Sequence, residues 1–285
     1  MELTNTYNLP SPLVAALKAD WYHQPGHISV TGLIQPPRMR QLIARNQDII
    51  SEDVSDRIWM LLGSAIHGVL DRADVADGFQ EERLSIESNG WEVTGKADLW
   101  ESPGILSDYK VTSVWAYING VKEEWETQLN CYAALYRDAG FSVEKLQIVC
   151  IFRDWQKNRA KSGDNYPPCA AAVMPVKLWD PVDALKYIDT RVALHQEAES
   201  LPESDLPHCT ASERWEKPTT YAVMKKGRKR AVRVLESEEV ANRMVDEGKG
   251  DYVETRPGES TRCEGYCPCA PFCSYYQEEI KRCNQ

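Results

Sequence analysis

At 285 residues the chain can fill one good core, carry a smaller second unit, and fold without covalent staples. Its formal charge of -10 excludes a protein that coats nucleic acid with its whole surface, since neutralising phosphates everywhere needs a basic exterior. The first thirty residues lack the basic start and unbroken apolar run of a signal peptide, and no later stretch is long enough to span a bilayer, so the expected location is cytoplasmic, without a membrane partner.

Ser11 and Pro12 read as the cap and first residue of a short helix running to about Asp20. In residues 51–74, Val54, Ile58, Leu61 and Ala65 recur at helical spacing while Leu62, Ile66 and Leu70 form a second apolar face. That pattern predicts a largely buried helix, with Gly63 and His67 one turn apart on its remaining side. From Glu81 the period becomes two: EERLSIES and WEVTGKADLW flank Asn89-Gly90, a strong hairpin signal, and the second run reads as one strand. GILSDYKVT gives a third strand after the turn Ser102-Pro103-Gly104, VKEEWETQLNCYAALYRDAG a helix stopping at Gly140, and EKLQIVCIFR a strand apolar on both faces, hence internal. A strand near AAAVMPVKLW and a long helix from Asp180-Pro181 to about Ser200 complete this part, and LPESDLP reads as a linker. Beyond it come two short strands around MKKGRKRAVR, a helix from Ser237 to Glu247, and a dense cysteine run. The order predicts an α/β fold, a mixed central sheet covered by helices on both sides, with a small C-terminal cysteine subdomain. The expected divisions are 1–50, an N-terminal helical and extended segment; 51–200, the core; and 201–285, the cysteine subdomain with its basic hairpin insertion.

Alternation puts Asp108 and Lys110 on one face of the third strand. With a three-residue loop at 102–104, Asp98 falls directly opposite Asp108, their β-carbons about 5 Å apart. Two bare carboxylates so close repel, and a divalent cation such as Mg²⁺ relieves this by taking hard oxygen ligands. Lys110 then stands where it can position or deprotonate a water and offset phosphate charge. The plain alternative is a surface hairpin whose acids pair with Lys110. Against it stands the constellation: His67, Gly95 to Asp98, Asp108 to Lys110, and a helix bearing Gln128 and Tyr132 on one face.

Together GSAIH, GKAD, DYK and QLNCY, over residues 60 to 155, resemble the PD-(D/E)XK nuclease superfamily in its RecB-like branch. The resemblance implies a restriction-endonuclease-like sheet and a phosphodiester-hydrolysing enzyme of a bacterial or phage-infected cell. It further implies that His67, Asp98, Asp108 and the carbonyl of Tyr109 hold Mg²⁺ or Mn²⁺, that Lys110 assists the water, and that Gln128 and Tyr132 orient catalytic groups or DNA. Glu82 is similar to an acid many members carry on the first strand, and Glu81 competes for that role.

Cytosolic thiols are kept reduced, so four cysteines within residues 263–273 point to a metal site rather than disulfides. Cys263, Cys267 and Cys273 lack the paired knuckles of a zinc ribbon. Their spacing resembles the tail of the Fe-S members of the same nuclease family, whose fourth cysteine lies near the N-terminus; here SVTGLIQPPR carries Pro36 at that position. A 4Fe-4S cluster takes four thiolates, so a replacement is needed, Cys209 by preference with Cys269 as rival; Zn²⁺ on the same thiolates is the other possibility. Cys131, Cys150 and Cys169 read as core or loop residues and Cys283 as free.

Lys225, Lys226, Arg228, Lys229, Arg230 and Arg233 crowd around Gly227. They form either a solvated hairpin face or, beside a nuclease centre and with Trp215 and Tyr221 as stacking groups, a groove for the DNA backbone. No G-x-x-x-x-G-K-[ST] motif occurs, so no motor is expected. The expected activity is a DNA exonuclease on single strands or duplex ends. The alternatives are a duplex-end exonuclease of phage recombination working with an annealing protein, with recombination or replication partners, and a non-catalytic Fe-S or zinc DNA-binding module.

Overall fold

The computed structural model describes residues 2–17, 26–161 and 165–280. The chain divides into two compact units, Met1–Gln35 with Ser51–Glu199, and Pro36–Ile50 with Ser200–Gln285. The N-terminal fifty residues are therefore not one segment: residues 36–50 go with the C-terminal part. Asp20, the expected end of the first helix, and Cys283 lie outside the described residues. Among the described residues no helix is long and apolar enough to cross a membrane.

The first unit runs β1 (Glu2–Thr4), α1 (Ser11–Leu17), β2 (His27–Ser29) and α2 (Val30–Leu33); α3 (Pro37–Asn46) belongs to the second unit. It resumes with β3 (Ser51–Asp53), α4 (Ile58–Leu70), β4 (Gly78–Gln80), β5 (Leu84–Ser88), β6 (Trp91–Gly95), β7 (Leu99–Glu101) and β8 (Ile105–Thr112). Then come α5 (Val114–Ile118), α6 (Glu123–Asp138), β9 (Lys145–Phe152), α7 (Lys157–Ala160), β10 (Ala171–Val176) and α8 (Pro181–Ser200). Its main sheet has the order β10-β9-β8-β7-β4, parallel only between β8 and β9, and a second sheet has the order β2-β6-β5. The class is thus mixed α/β.

Local chemistry explains the frame. Asn89 and Gly90 take φ +48° and +77°, the pair of left-handed residues a two-residue hairpin requires, and Ser88 faces Trp91 across it. The α6 helix opens on Glu123, Glu124 and Glu126 and closes on Arg137, each matching the helix dipole. It is buried nearly all round, with Trp125, Leu129, Tyr132, Ala133 and Tyr136 in the core alongside Leu106, Leu146, Ile148 and Val93. The α8 helix adds a stripe of Ala184, Ile188, Val192, His195 and Ala198. At about 25 cal/mol per Å² removed from water, such burial is the main term holding the unit together.

Two expectations fail here. The run from Trp91 to Trp100 is not one strand: β6 ends at Gly95 and β7 starts at Leu99 in the other sheet, leaving Lys96, Ala97 and Asp98 outside any strand. The α4 helix is not buried. None of its residues is, and Trp59 and Met60 are 58% and 50% exposed. Its apolar faces outnumber its neighbours, and the cover expected on that side of β8 is thin.

In the second unit β12 (Thr220–Met224) lies between β13 (Arg233–Leu235) and β14 (Tyr252–Arg256), with α9 (Glu238–Asp246) beside them. The two expected strands are therefore three, around a small core of Ala222, Val223, Met224 and Ala241. β11 (Glu216–Lys217) pairs with β15 (Glu259–Ser260), which leads into α10 (Thr261–Gly265). The basic run forms the exposed connection between β12 and β13, residues 225–230 all at the surface.

Candidate active site and cysteine pocket

The register between β7 and β8 pairs Leu99 with Ser107 and Glu101 with Ile105, as the three-residue loop demands. The ladder stops one step short of Asp98. Instead, the Asp98 carboxylate accepts the backbone N–H of Tyr109 at 2.6 Å, taking over a ladder hydrogen bond with a side chain. The N–H of Glu81 donates to the Asp98 carbonyl at 3.3 Å, which brings the end of β4 alongside.

His67, from the exposed α4, completes the group: its Nδ1 lies 3.1 Å from Asp98 Oδ1 and 4.0 Å from Glu81 Oε1. One donor atom from each of His67, Glu81 and Asp98 falls within 4.8 Å of the others. Glu81, with φ +52°, is the acid that joins and also contacts Lys96; Glu82 is exposed and outside the group. The hydrogen bond that the His67 ring donates to the Asp98 carboxylate holds the His67 pKa above its ordinary value. An open cleft of about 560 Å³ lined by Met60, Gly63, Ser64, His67 and Glu81 leads to the group.

Alternation along β8 sends Tyr109 toward α4, its ring edge-on to His67 at 6.3 Å, and sends Asp108 and Lys110 the other way, to α6. Asp108 is 4% exposed, and burial pushes its pKa up to about 6 although Lys110 Nζ sits 2.6 Å from Oδ2. Lys110 also donates to Gln128 Oε1 at 3.3 Å, and the Gln128 amide nitrogen donates to Tyr132 Oη at 2.9 Å. Burial drives the Tyr132 hydroxyl up to about 12, so it stays protonated. Gly95 makes this possible: a Cβ there would stand 2.7 Å from the Tyr132 ring.

His67, Asp98 and the Tyr109 backbone, with Glu81 added, form one linked group, and Asp108, Lys110, Gln128 and Tyr132 form a second, the two meeting along β8; Asp108, expected as a metal ligand, is not among the grouped donors of the described residues. A nitrogen and two carboxylates, partly exposed, suit a hard divalent ion that keeps waters or phosphate oxygens as its other ligands, so the donor set fits Mg²⁺ or Mn²⁺.

In the second unit Cys209, Cys263, Cys267, Cys269 and Cys273 line one pocket with Arg38, Met39, Leu42, Tyr275 and Tyr276. Burial first, then Glu213 and the neighbouring thiols, push Cys209 up to about 12, and burial pushes Cys263 up to about 11. Cys267 and Cys269 sit 3.4 Å apart, sulfur to sulfur; that hydrogen bond holds Cys267 down and Cys269 up. Among the described residues no three thiols come within 4.8 Å of one another. Clustered thiols are the donors that both an iron–sulfur cluster and Zn²⁺ take.

Arg38 was not foreseen. It is 2% exposed; its Nε donates to Cys273 Sγ at 3.2 Å, and its Nη atoms donate to the Leu206 and Glu203 carbonyls and to Ser274 Oγ. Arg38 is also 3.7 Å from the Glu203 carboxylate, so the buried cation has an acid partner as well as its contact with a thiol. The signal was there: Arg38 ends the segment SVTGLIQPPR, in which only the missing cysteine drew notice. Cys131 and Cys150 are buried in the first unit and Cys169 is exposed. Trp215 stacks on Arg262 at 4.6 Å and meets Tyr266 edge-on, and Tyr221 lies on β12.

Neither a protein-family model nor a curated protein sequence matches the chain. Among solved structures it is similar to the protein SSO0001, with a TM-score of 0.43 and 18% identity, covering 65% of this chain and 84% of that one. It is also similar to the alkaline exonuclease LHK-Exo of Laribacter hongkongensis, with a TM-score of 0.39 and 10% identity, covering 61% of this chain and 90% of that one. At those values the chain's own residues must carry the functional reading.

Proposed function

We propose that the chain is a Mg²⁺- or Mn²⁺-dependent DNA nuclease, of the exonuclease type, whose second unit holds a 4Fe-4S cluster in a structural role. The observation that carries the reading is the meeting of His67, Glu81 and Asp98 at the open end of the β7–β8 ladder, next to the buried Asp108–Lys110 pair. Bound there, the divalent ion supplies positive charge against phosphate oxygens and acidifies water. Lys110, held between Asp108 and Gln128, brings a second positive charge on an arm too constrained to swing away. Tyr132 fixes the Gln128 amide so that its oxygen faces the lysine. Asp98 keeps the His67 ring in place and ties it to the backbone of β8. The cysteine pocket supports the cluster assignment through its five thiols and its buried arginine.

The test is digestion of end-labelled single-stranded, duplex and circular DNA with and without Mg²⁺. Linear DNA is expected to be degraded and circles to survive, and Asp108→Asn is expected to fold normally while losing digestion. Digestion that persists in chelator or in the Asp108→Asn protein overturns the assignment; cut circles replace exonuclease by endonuclease. Binding without cleavage under every condition leaves the non-catalytic module.

A further inference from the structure

The exposed start of α4 is not explained by the metal group. Trp59 is 58% exposed, and the guanidinium of Arg153 lies 4.3 Å over its ring. The cation covers one face of the indole and fixes its plane; the exposure belongs to the rest of the ring. Arg153 directly follows β9, its N–H bonded to the Thr112 carbonyl at the end of β8, so the stack rests on the strand that carries Asp108 and Lys110. Among the described residues Arg153 makes no ion pair. It opens a largely exposed run, residues 153–161, in which Lys157 and Lys161 are further exposed cations, within a chain of net charge -10. The Asp154 carboxylate is taken up by the N–H of Val114, at the start of α5, where Trp115 is 55% exposed.

A flat aromatic face, locked by a cation and bordered by a local excess of positive charge, is the chemistry that takes unpaired nucleobases and their phosphates. Position agrees. Trp59 and His67 lie eight residues apart on α4, so at 1.5 Å per residue the platform is about 12 Å along the helix from the metal group.

We infer that Trp59, Arg153, Lys157 and Lys161 form a seat for single-stranded DNA, a base stacking on Trp59 and the adjoining phosphates lying on the cations. This rests on the nuclease reading and narrows its substrate: a base inside a duplex has both faces covered by its stacked neighbours, so the strand must be single where it crosses α4.

The test is metal-free binding, by fluorescence anisotropy, of a labelled oligothymidylate, the same strand with abasic residues at one end, and a blunt duplex. The base-bearing strand is expected to bind about tenfold more tightly than the abasic one. Trp59→Ala should erase that preference, Trp59→Phe should keep most of it, and neither should change duplex binding or hydrolysis of bis(p-nitrophenyl) phosphate. Equal binding of base-bearing and abasic strands by the native protein overturns the seat, as does an equal loss for both in Trp59→Ala. The two readings fail separately. DNA digestion with an unchanged KM in Trp59→Ala keeps the nuclease and removes the seat; a Trp59-dependent base preference in a protein that hydrolyses nothing does the reverse.

Discussion

Tyr132 occupies the space that any side chain on residue 95 would need, with its Cε1 atom 2.7 Å from where a Cβ would stand. Gly95→Ala should therefore push the ring and, through Gln128, loosen Lys110. A loss of about 1–3 kcal/mol in stability is expected, as for other overpacked sites, with a larger fall in digestion rate. Tyr132→Leu in the same chain should restore much of the stability and none of the rate. Thermal melts and digestion assays of the two single variants and the double variant separate these effects.

The Asp108–Lys110 pair gives a pH signature. Replacing Lys110 by Met leaves Asp108 buried without its cation, and its pKa must rise further above the value of about 6 that it has with Lys110 present. A carboxyl whose folded pKa exceeds its unfolded value binds more protons when folded, so its stability contribution falls as pH rises between the two. The cost of Lys110→Met should be small near pH 4 and reach about 2 kcal/mol by pH 8. Urea melts across that range check it; a cost independent of pH would show that the pair is not coupled in this way.

Metal and proton compete for His67. Its pKa is raised by Asp98, so lowering the pH through the region above 6.5 protonates the ring and removes a ligand. Mn²⁺ at 100 times its Kd should stabilise the protein by about 2.7 kcal/mol. The rise in Tm should be clear at pH 8, much smaller at pH 5.5, absent in His67→Ala and reversed by EDTA.

In the cysteine pocket, anaerobically purified protein should be brown and contain iron rather than zinc. Cys209→Ser and Arg38→Met should lose iron and destabilise the second unit, whereas Cys269→Ser and Cys169→Ser should retain it. Zinc in stoichiometric amount, or iron lost equally in all four variants, would reject the assignment.

Lys225 and Lys226 sit in the exposed β12–β13 connection. If they contact phosphates, replacing both by Ala should lower the slope of log affinity against log salt by about two, roughly one for each lysine. An unchanged slope marks a solvated loop.

The legible and illegible parts of the site differ for a physical reason. The β7–β8 register follows from loop length alone, so the nearness of Asp98 and Asp108 could be read from residues 98–108. That Asp98 leaves the ladder could not, because its carboxylate rather than its backbone takes the Tyr109 N–H, an exchange that loop length does not specify. Glu81 and Glu82 were indistinguishable because a positive φ at Glu81 decides which of them turns inward, and no residue type announces that conformation in a glutamate. The α4 helix misled for the opposite reason: periodicity counts apolar residues, not the partners available to cover them. Arg38 joins its pocket through neighbours far away in sequence, which local pattern cannot reveal, whereas Cys209 was reached by the need for a fourth thiol.

Arg38 and Cys273 are 235 positions apart, yet they share a hydrogen bond in the same compact unit. On a ribosome adding about 5–20 residues per second, Arg38 must wait roughly 10 to 50 s for that partner. Over the same interval residues 51–199 of the first unit are all synthesised. The second unit is thus begun early and closed last, a high-contact-order arrangement in which the thiol ring stays open until translation has passed residue 273. Any group that needs the Cys273 thiol can therefore be held at this pocket only once that residue has been made.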